Sequence, residues 1–448
     1  MLKTLLILMN LAWALPAMAA PDPAVLPDLS APAASLANAT GQAHAGSLSL
    51  DAVLQAVREH NPEVAQAKAE ADQARGMALA SHAWMPPRME LELMGLDWPS
   101  PDTGNWMQRR LGLTQELPFP GRTWFKGQAA SRMADAKGID AERVLRERME
   151  EARSAYAELA AQQRLLQGLQ RVRQATTEMS AASARRAGYG QLDRMGQFMD
   201  SMLAMEDSDV ASMQPMAEQR RAMAEVRLRR LMGSDPLKPL PPAELDIEAL
   251  AAEPIPSLET IQSHGEHHAP MLAMASAERA SAEAARTAAV MGWLPDVMVS
   301  GSVTEDALGQ RSSSAMLGLS LPWVWGWGQA GEHAAANAAL EAARRKEDAA
   351  RLMLREDLRM HWGDLKAASE ALRITVKQTL PLAIKGLAQA RSGFKTTALG
   401  PSEILMAVQD YRMVEEKLAA LTVQATEARA HLMHQTASLD AKNLGDMP

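Results

Sequence analysis

Three histidines fall together at His264, His267 and His268 (HGEHH), and four of the thirty methionines, Met195, Met199, Met202 and Met205, recur at spacings of three and four. Imidazoles and thioethers are ligands for copper and similar soft cations. The same methionine spacing is also that of a helix packing seam, where Met is a common gap filler, and histidines near a helix start are commonly plain solvated surface. No metal site is therefore assigned. The chain holds no cysteine, which removes disulfides, thiolate metal sites, a cysteine nucleophile and an acylated N-terminal Cys. It also lacks the GxxxxGK[ST], HExxH and GxSxG patterns that carry phosphate binding, zinc hydrolysis and acyl transfer. No paired carboxylates stand out from the helix charges. The sequence implies no enzyme and no cofactor.

The 448 residues carry a net charge of -8, and no segment concentrates Lys and Arg enough to grip nucleic acid. Ala, Met, Arg, Glu and Gln dominate long stretches without proline, a helix-forming composition. MLKTLLILMNLAWALPAMAA at the start has the lysine, apolar run and small-x-small ending of a secretory signal, with cleavage expected after Ala19. No later segment approaches 18 consecutive apolar residues, so a mature chain that sits in a membrane must cross it as strands.

Short phrases recur at one register. Leu50-Asp51-Ala52 returns as Leu258-Glu259-Thr260 and Asn61-Pro62 as Ala269-Pro270, both 208 apart. Trp84-Met85-Pro86 returns as Trp293-Leu294-Pro295 at 209, LGLTQELP (111–118) as LGLSLP (317–322) at 206, and Ala184-Arg185 as Ala390-Arg391 at 206. Such agreement implies a tandem duplication. The expected organisation is signal peptide 1–19, extended segment 20–47, first repeat 48–233, Pro-rich linker 234–257, second repeat 258–438 and tail 439–448.

Each repeat changes period in the same order. Leu145, Met149, Ala152, Tyr156, Leu159 and Leu166 follow alternating spacings of four and three, with Gln163 in the one polar slot. In the second repeat Leu354, Leu358, His361, Leu365, Ala368 and Leu372 run up one helix, and Ile404, Val408, Tyr411, Val414, Leu418, Leu421 and Ala425 run down the next. These seams predict one long antiparallel helical hairpin per repeat. The reversals are expected at Gly188 to Gly190 and at Gly393 to Pro401. Between the helices the period becomes two: Met89, Leu91 and Leu93; Leu111, Leu113 and Leu117; Val297, Val299 and Val303; Leu317, Leu319 and Leu321. They predict two β-hairpins. Four strands cannot close on themselves, so other copies of the chain must complete them.

Eight of ten tryptophans (Trp84, Trp98, Trp106, Trp124, Trp293, Trp323, Trp325 and Trp327) sit at or just beyond strand ends, and the long helices are expected to hold only Trp362. That is the distribution of an aromatic girdle at a membrane boundary. With the α-β-β-α halves, the NPEV start, and the ELPFPGR and SLPWVWGWG phrases that end the hairpins, the chain resembles the TolC-like outer-membrane efflux factors, closest to their heavy-metal branch, from about Leu48 to Gln435.

The resemblance implies a mainly α, α+β fold. Four strands per chain would join one trimeric outer-membrane β-barrel, which continues into a periplasmic α-helical barrel. It implies a homotrimer, in the outer membrane of a Gram-negative bacterium, that serves as the exit duct for a periplasmic adaptor and an inner-membrane pump. The adaptor would dock at the helical tips: Gly188, Tyr189, Gly190, Leu192 and Asp193 in one repeat, and Gly393, Phe394, Leu399, Gly400, Pro401 and Ser402 in the other. The family's resting closure maps to Asp193 and Arg391, although the first tip is one residue shorter than the family pattern. A secreted coiled-coil scaffold without a pore is the competing reading; it explains the heptads but neither the tryptophans nor the paired hairpins.

Overall fold

The proline-free stretch after Pro120 forms one helix of 69 residues, roughly 100 Å at 1.5 Å per residue. It is the axis around which the computed structural model is organised. The structure describes residues 46–95, 107–188, 194–324, 326–396 and 400–437, all within one unit, His44–Pro448. The first half comprises α1 (Leu50–His60), α2 (Pro62–Ser81), β1 (Arg88–Met94), β2 (Gln108–Leu117), α3 (Pro120–Gly188) and α4 (Arg194–Leu231). A linker with the short helix α5 (Ile247–Ala252) follows. The second half repeats the order: α6 (Leu258–His268), α7 (Pro270–Met291), β3 (Val297–Asp306), β4 (Arg311–Leu319), α8 (Trp327–Ile374), α9 (Leu380–Thr396) and α10 (Pro401–Gln435).

Helix α3 packs α2 and α4 along one flank and α7 and α10 along the other, and α8 and α9 close the far side of α7 and α10. The expected seams are the ones buried. Met149, Ala152, Tyr156, Leu159 and Leu166 on α3, Leu354 to Leu372 on α8, and Ile404 to Ala425 on α10 supply most of the core. The polar slot also has a use, because Gln163 accepts a hydrogen bond at 3.0 Å from the Ala243 backbone N–H of the linker.

In the first half, α2 starts against the end of α4. Asn61 caps α2 by accepting from the N–H groups of Glu63 and Val64, and its amide donates at 2.7 Å to the carbonyl of Leu231, the last residue of α4. One side chain thus satisfies orphan groups of two helix ends. The linker is pinned on both halves: Tyr156 bonds the backbones of Leu48 and Glu244, and Trp362 Nε1 donates to the Pro256 carbonyl at 3.0 Å.

Helix α8 does not end where α9 begins. A π-turn, Thr375–Thr379, joins them, with the Leu380 N–H bonded to the Thr375 carbonyl. Pro381 lies one residue beyond, and in an α-helix its ring would meet the carbonyl four residues back; the wider turn makes that room.

Candidate functional site

The four strands form one antiparallel sheet in the order β1-β2-β3-β4. Met89 pairs with Leu113, Leu91 with Leu111 and Leu111 with Val303; Val297 pairs with Leu319 and Val299 with Leu317. Alternation therefore places every one of these side chains on the same face, and there Met89, Leu91, Leu317 and Leu319 are exposed. The opposite face is polar. Arg110 reaches Glu92 at 3.7 Å and donates to Ser302 Oγ at 3.0 Å, and Ser302 and Ser314 share a hydrogen bond. Strands β1 and β4 are the sheet's two edges.

Antiparallel pairing brings the start of β1, the end of β2, the start of β3 and the end of β4 to one end of the sheet. Trp84, Trp124, Trp293, Trp323 and Trp327 gather there, each 36% exposed or more. The expectation that the long helices hold only Trp362 is corrected, because α3 starts early enough to include Trp124 and Trp327 opens α8. Trp98, Trp106 and Trp325 lie outside the described residues. At this junction sits an ion pair that the sequence reading missed. Asp296 pairs with Arg122 of the PGR phrase at 2.9 Å and accepts from the Phe119 N–H, while its backbone N–H donates to Ser320 Oγ and its carbonyl accepts from the Ser320 N–H. It ties β3 and the end of β4 to the first turn of α3. Only the recurrence of Pro beside each hairpin hinted at a shared joint.

On the side of α3 facing away from the linker lies a cavity of about 810 Å³, bordered by Glu150, Ser154, His361, Asp364, Gln424 and His431. His431 Nδ1 lies 2.7 Å from Glu150 Oε1 and its ring centroid is 3.7 Å from that of His361; His434 Nδ1 is 3.7 Å from Glu150 Oε2. The hydrogen bond to Glu150 holds His431 above the usual imidazole range against its burial. Burial pushes His361 and His434 below it. Burial also works to raise Glu150, but the bond from His431 and the neighbouring imidazoles leave it lowered overall. The four residues lie on α3, α8 and α10, too far apart in sequence for spacing to reveal them. Even so, among the described residues no group of three or more His, Cys, Asp or Glu is arranged to hold a metal ion.

The flagged metal candidates do not converge either. His264 and His268 stack loosely at 4.5 Å, while His267 is exposed. The methionine stripe is not the packing seam of α4, which is formed by Leu203, Glu206, Val210, Ala217, Ala224, Leu228 and Leu231. Met205 is 65% exposed, in line with exposed Phe198, Met216 and Met223. The side chains of Met195 and Met199 lie outside the described set.

Arranged this way, the chain matches solved outer-membrane channels. The open-state MtrE channel of Neisseria gonorrhoeae superposes with a TM-score of 0.74 over 88% of this chain and 90% of that one, at 18% identity. For the channel OprN the values are 0.70, 87%, 90% and 16%, and for VceC of Vibrio cholerae 0.68, 86%, 95% and 16%. No protein-family model and no curated protein matches the sequence. The fold is that of these outer-membrane channels.

On this channel fold the helical tips lie at the end away from the sheet. Gly188 is the last residue of α3, while Tyr189, Gly190, Leu192, Asp193 and Leu399 fall outside the described residues. The second reversal is tighter than expected. Gly393 and Phe394 are buried within α9, which continues to Thr396, and the helix-forming run simply persists past the glycine. Gly400 is the N-cap of α10, Pro401 its first residue, and Ser402 is exposed. Arg391 donates to Glu178 of α3 at 3.1 Å. Further up, buried charges bind α10 to the first half: Arg412 pairs with Glu206 of α4 at 2.7 Å, and Glu415 accepts from Tyr411 and lies 3.4 Å from Arg164 of α3.

Proposed function

We propose that this chain is one protomer of a passive exit duct in the outer membrane. The observation that carries the reading is the sheet. It is apolar on one exposed face, polar on the other and open at both edges, with strands of seven to ten residues, near the length that crosses a bilayer at a tilt. Unpaired strand edges are not tolerated in lipid, so the sheet needs sister copies. Three copies of four strands would give a twelve-stranded barrel with its polar face turned to the lumen. Exposed apolar stripes run along both outer edges of the helical layer, Phe198, Met205, Met216 and Met223 on α4 and Leu352, Met353, Leu382 and Ile384 on α8 and α9. They suit lateral packing of the same copies. Among the described residues no helix is long and apolar enough to cross a membrane, which leaves the strands as the spanning elements.

In this reading the helices stand in the periplasm and the tips meet an adaptor that connects to an inner-membrane pump, the source of energy. Arg391 and Asp193 belong to the closure at the tips, and the signal peptide is cleaved without lipidation. The finer reading of the cargo is a heavy-metal cation. It rests on the NPEV start and the PGR phrase, which resemble the heavy-metal branch. The test is direct: the expressed chain should fractionate with the outer membrane, migrate as a heat-modifiable trimer and conduct ions across a planar bilayer. A soluble monomer that conducts nothing would leave the scaffold reading in its place.

A further inference from the structure

Three imidazoles share one carboxylate where the two halves of the helical layer meet. Glu150 stands on α3 of the first half, His361 on α8 and His431 and His434 on α10 of the second. His431 Nδ1 lies 2.7 Å from Glu150 Oε1, so a proton held there makes a charge-assisted bond across the seam. That bond uses the carboxylate. His434 Nδ1 is left 3.7 Å from Oε2, with no hydrogen-bond partner among the described residues, and the His361 ring centroid lies 3.7 Å from that of His431.

The cluster holds one proton well and a second one badly. Protonating His361 sets two imidazolium rings against each other, and its nearest carboxylate, Asp364 at 3.8 Å, is 72% exposed, where water leaves an ion pair little strength. Asp357 on the same helix attracts that proton too, but it faces His431 as well. Protonating His434 charges a side chain only 13% exposed, and Glu147 beside it already pairs with Arg143 and Arg148. At the rim, Glu151 pairs with Arg148 and Arg230, Glu427 accepts from Ser154, and Arg227 of α4 adds a cation. On α6, His264 lies beside the Thr436 backbone. Burial accordingly holds His361 and His434 below the ordinary imidazole range. The cavity bordered by His361 and His431 brings water to the rings without unfolding.

We propose that Glu150, His361, His431 and His434 form a proton-operated clamp between the two halves, closed while His431 holds one proton and released when His361 or His434 takes a second. Groups whose folded values are depressed bind fewer protons folded than unfolded, so their share of the clamp is lost as pH falls through about 6.5. His431, raised by its bond to Glu150, keeps its proton through that window. Acid therefore loosens α8 and the end of α10 from α3.

Hydrogen exchange of the full-length protein in detergent tests this, with exchange times scaled to the intrinsic rate at each pH and peptides read by mass spectrometry. Between pH 6.5 and 5.5, protection of residues 354–365 of α8 and of the last two turns of α10 should fall about fivefold. That is the effect of one proton taken up on opening by a ring that titrates at ~6.5 when free. Peptides around Val172 and Leu203, whose core contains no histidine, should keep their protection. H361Q/H434Q should remove the fall, and H264Q should leave it in α8. Equal protection of the wild type at both pH values overturns the clamp without any variant, as does a fall shared by the Val172 and Leu203 peptides. A fall that survives in H361Q/H434Q, or one that vanishes in H264Q, overturns it as well.

Discussion

The two halves of the helical layer solve the same joints with different chemistry. Both open on a serine cap, Ser49 accepting from the Ala52 N–H and Ser257 from the Thr260 N–H. At the second helix they part. Asn61 caps α2 and reaches the Leu231 carbonyl, whereas Ala269, at the same register, gives α7 no side-chain cap. Near the end of α10, His264 from α6 lies beside the Thr436 backbone. The linker is held on the first half by Tyr156, at the Glu244 backbone, and by Gln163, at the Ala243 N–H, and on the second by a hydrogen bond from Trp362 and an ion pair between Arg429 and Glu253. The α2 joint is therefore made by a neutral amide with the Arg230–Glu63 ion pair beside it, and the α7 joint lacks that side-chain cap.

The largest test addresses what binds the halves together. Glu206 is 1% exposed and pairs with Arg412 at 2.7 Å, with Gln409 as a second donor. Glu206→Ala should cost about 3 kcal/mol or more by leaving Arg412 short of its partner in the core, read as a lowered unfolding midpoint in detergent. If the loss is under about 1 kcal/mol, the contact between halves is made by apolar packing alone.

Next come the linker pins. Tyr156→Phe leaves the Glu244 carbonyl without its donor and the Leu48 carbonyl with only the 3.4 Å bond from the Glu244 N–H, and should cost about 3 kcal/mol. Trp362→Phe, which loses one bond to Pro256, should cost about 1 kcal/mol. Equal losses would erase the difference between halves. Smaller again are the caps: Asn61→Ala should cost about 2 kcal/mol, since it removes a cap and orphans a buried carbonyl. Ala269→Asn should gain up to about 1 kcal/mol by supplying the cap that α7 lacks.

The parts of this plan that repeat along one element were legible in the sequence. The α3, α8 and α10 seams, with Gln163 as the polar exception, follow from spacing alone because a helix converts spacing directly into a face. So did the two hairpins and their apolar side. The methionine stripe misled for the same reason: α4 has two faces with helical spacing, and Leu203, Glu206 and Val210, with a charge among them, form the buried one. Contacts between elements left no trace in spacing. Asp296 meets Arg122 from the other half, Glu150 meets His431 across some 280 positions of chain, and the π-turn before Pro381 depends on how a ring fits the preceding turn. The second reversal was placed too early because a glycine within a strong helix former does not end the helix unless the backbone must change hand; Gly393 is helical, whereas Gly233, at φ +65°, does end α4.

The smallest effect is also the most selective. His264 is held below the ordinary imidazole range first by burial and then by the adjacent His268, with the bond to the Thr436 backbone opposing both. A base whose folded value is depressed binds fewer protons folded than unfolded, so stability rises with pH through that window and falls on acidification. The loss starts as pH drops through about 6.5, the unfolded value, and is complete below the folded one. His361 and His434 act in the same direction, and His431, raised by Glu150, in the opposite one, so the wild-type profile mixes all four. The difference between wild type and His264→Gln isolates this ring. Glutamine keeps a donor for the Thr436 carbonyl without a titrating group, and the unfolding midpoint of the variant should therefore fall less than that of the wild type between pH 7.5 and 5.5, while Asn61→Ala should shift the midpoint equally at both. Parallel curves for wild type and His264→Gln would mean that the second joint is no more sensitive to protons than the first.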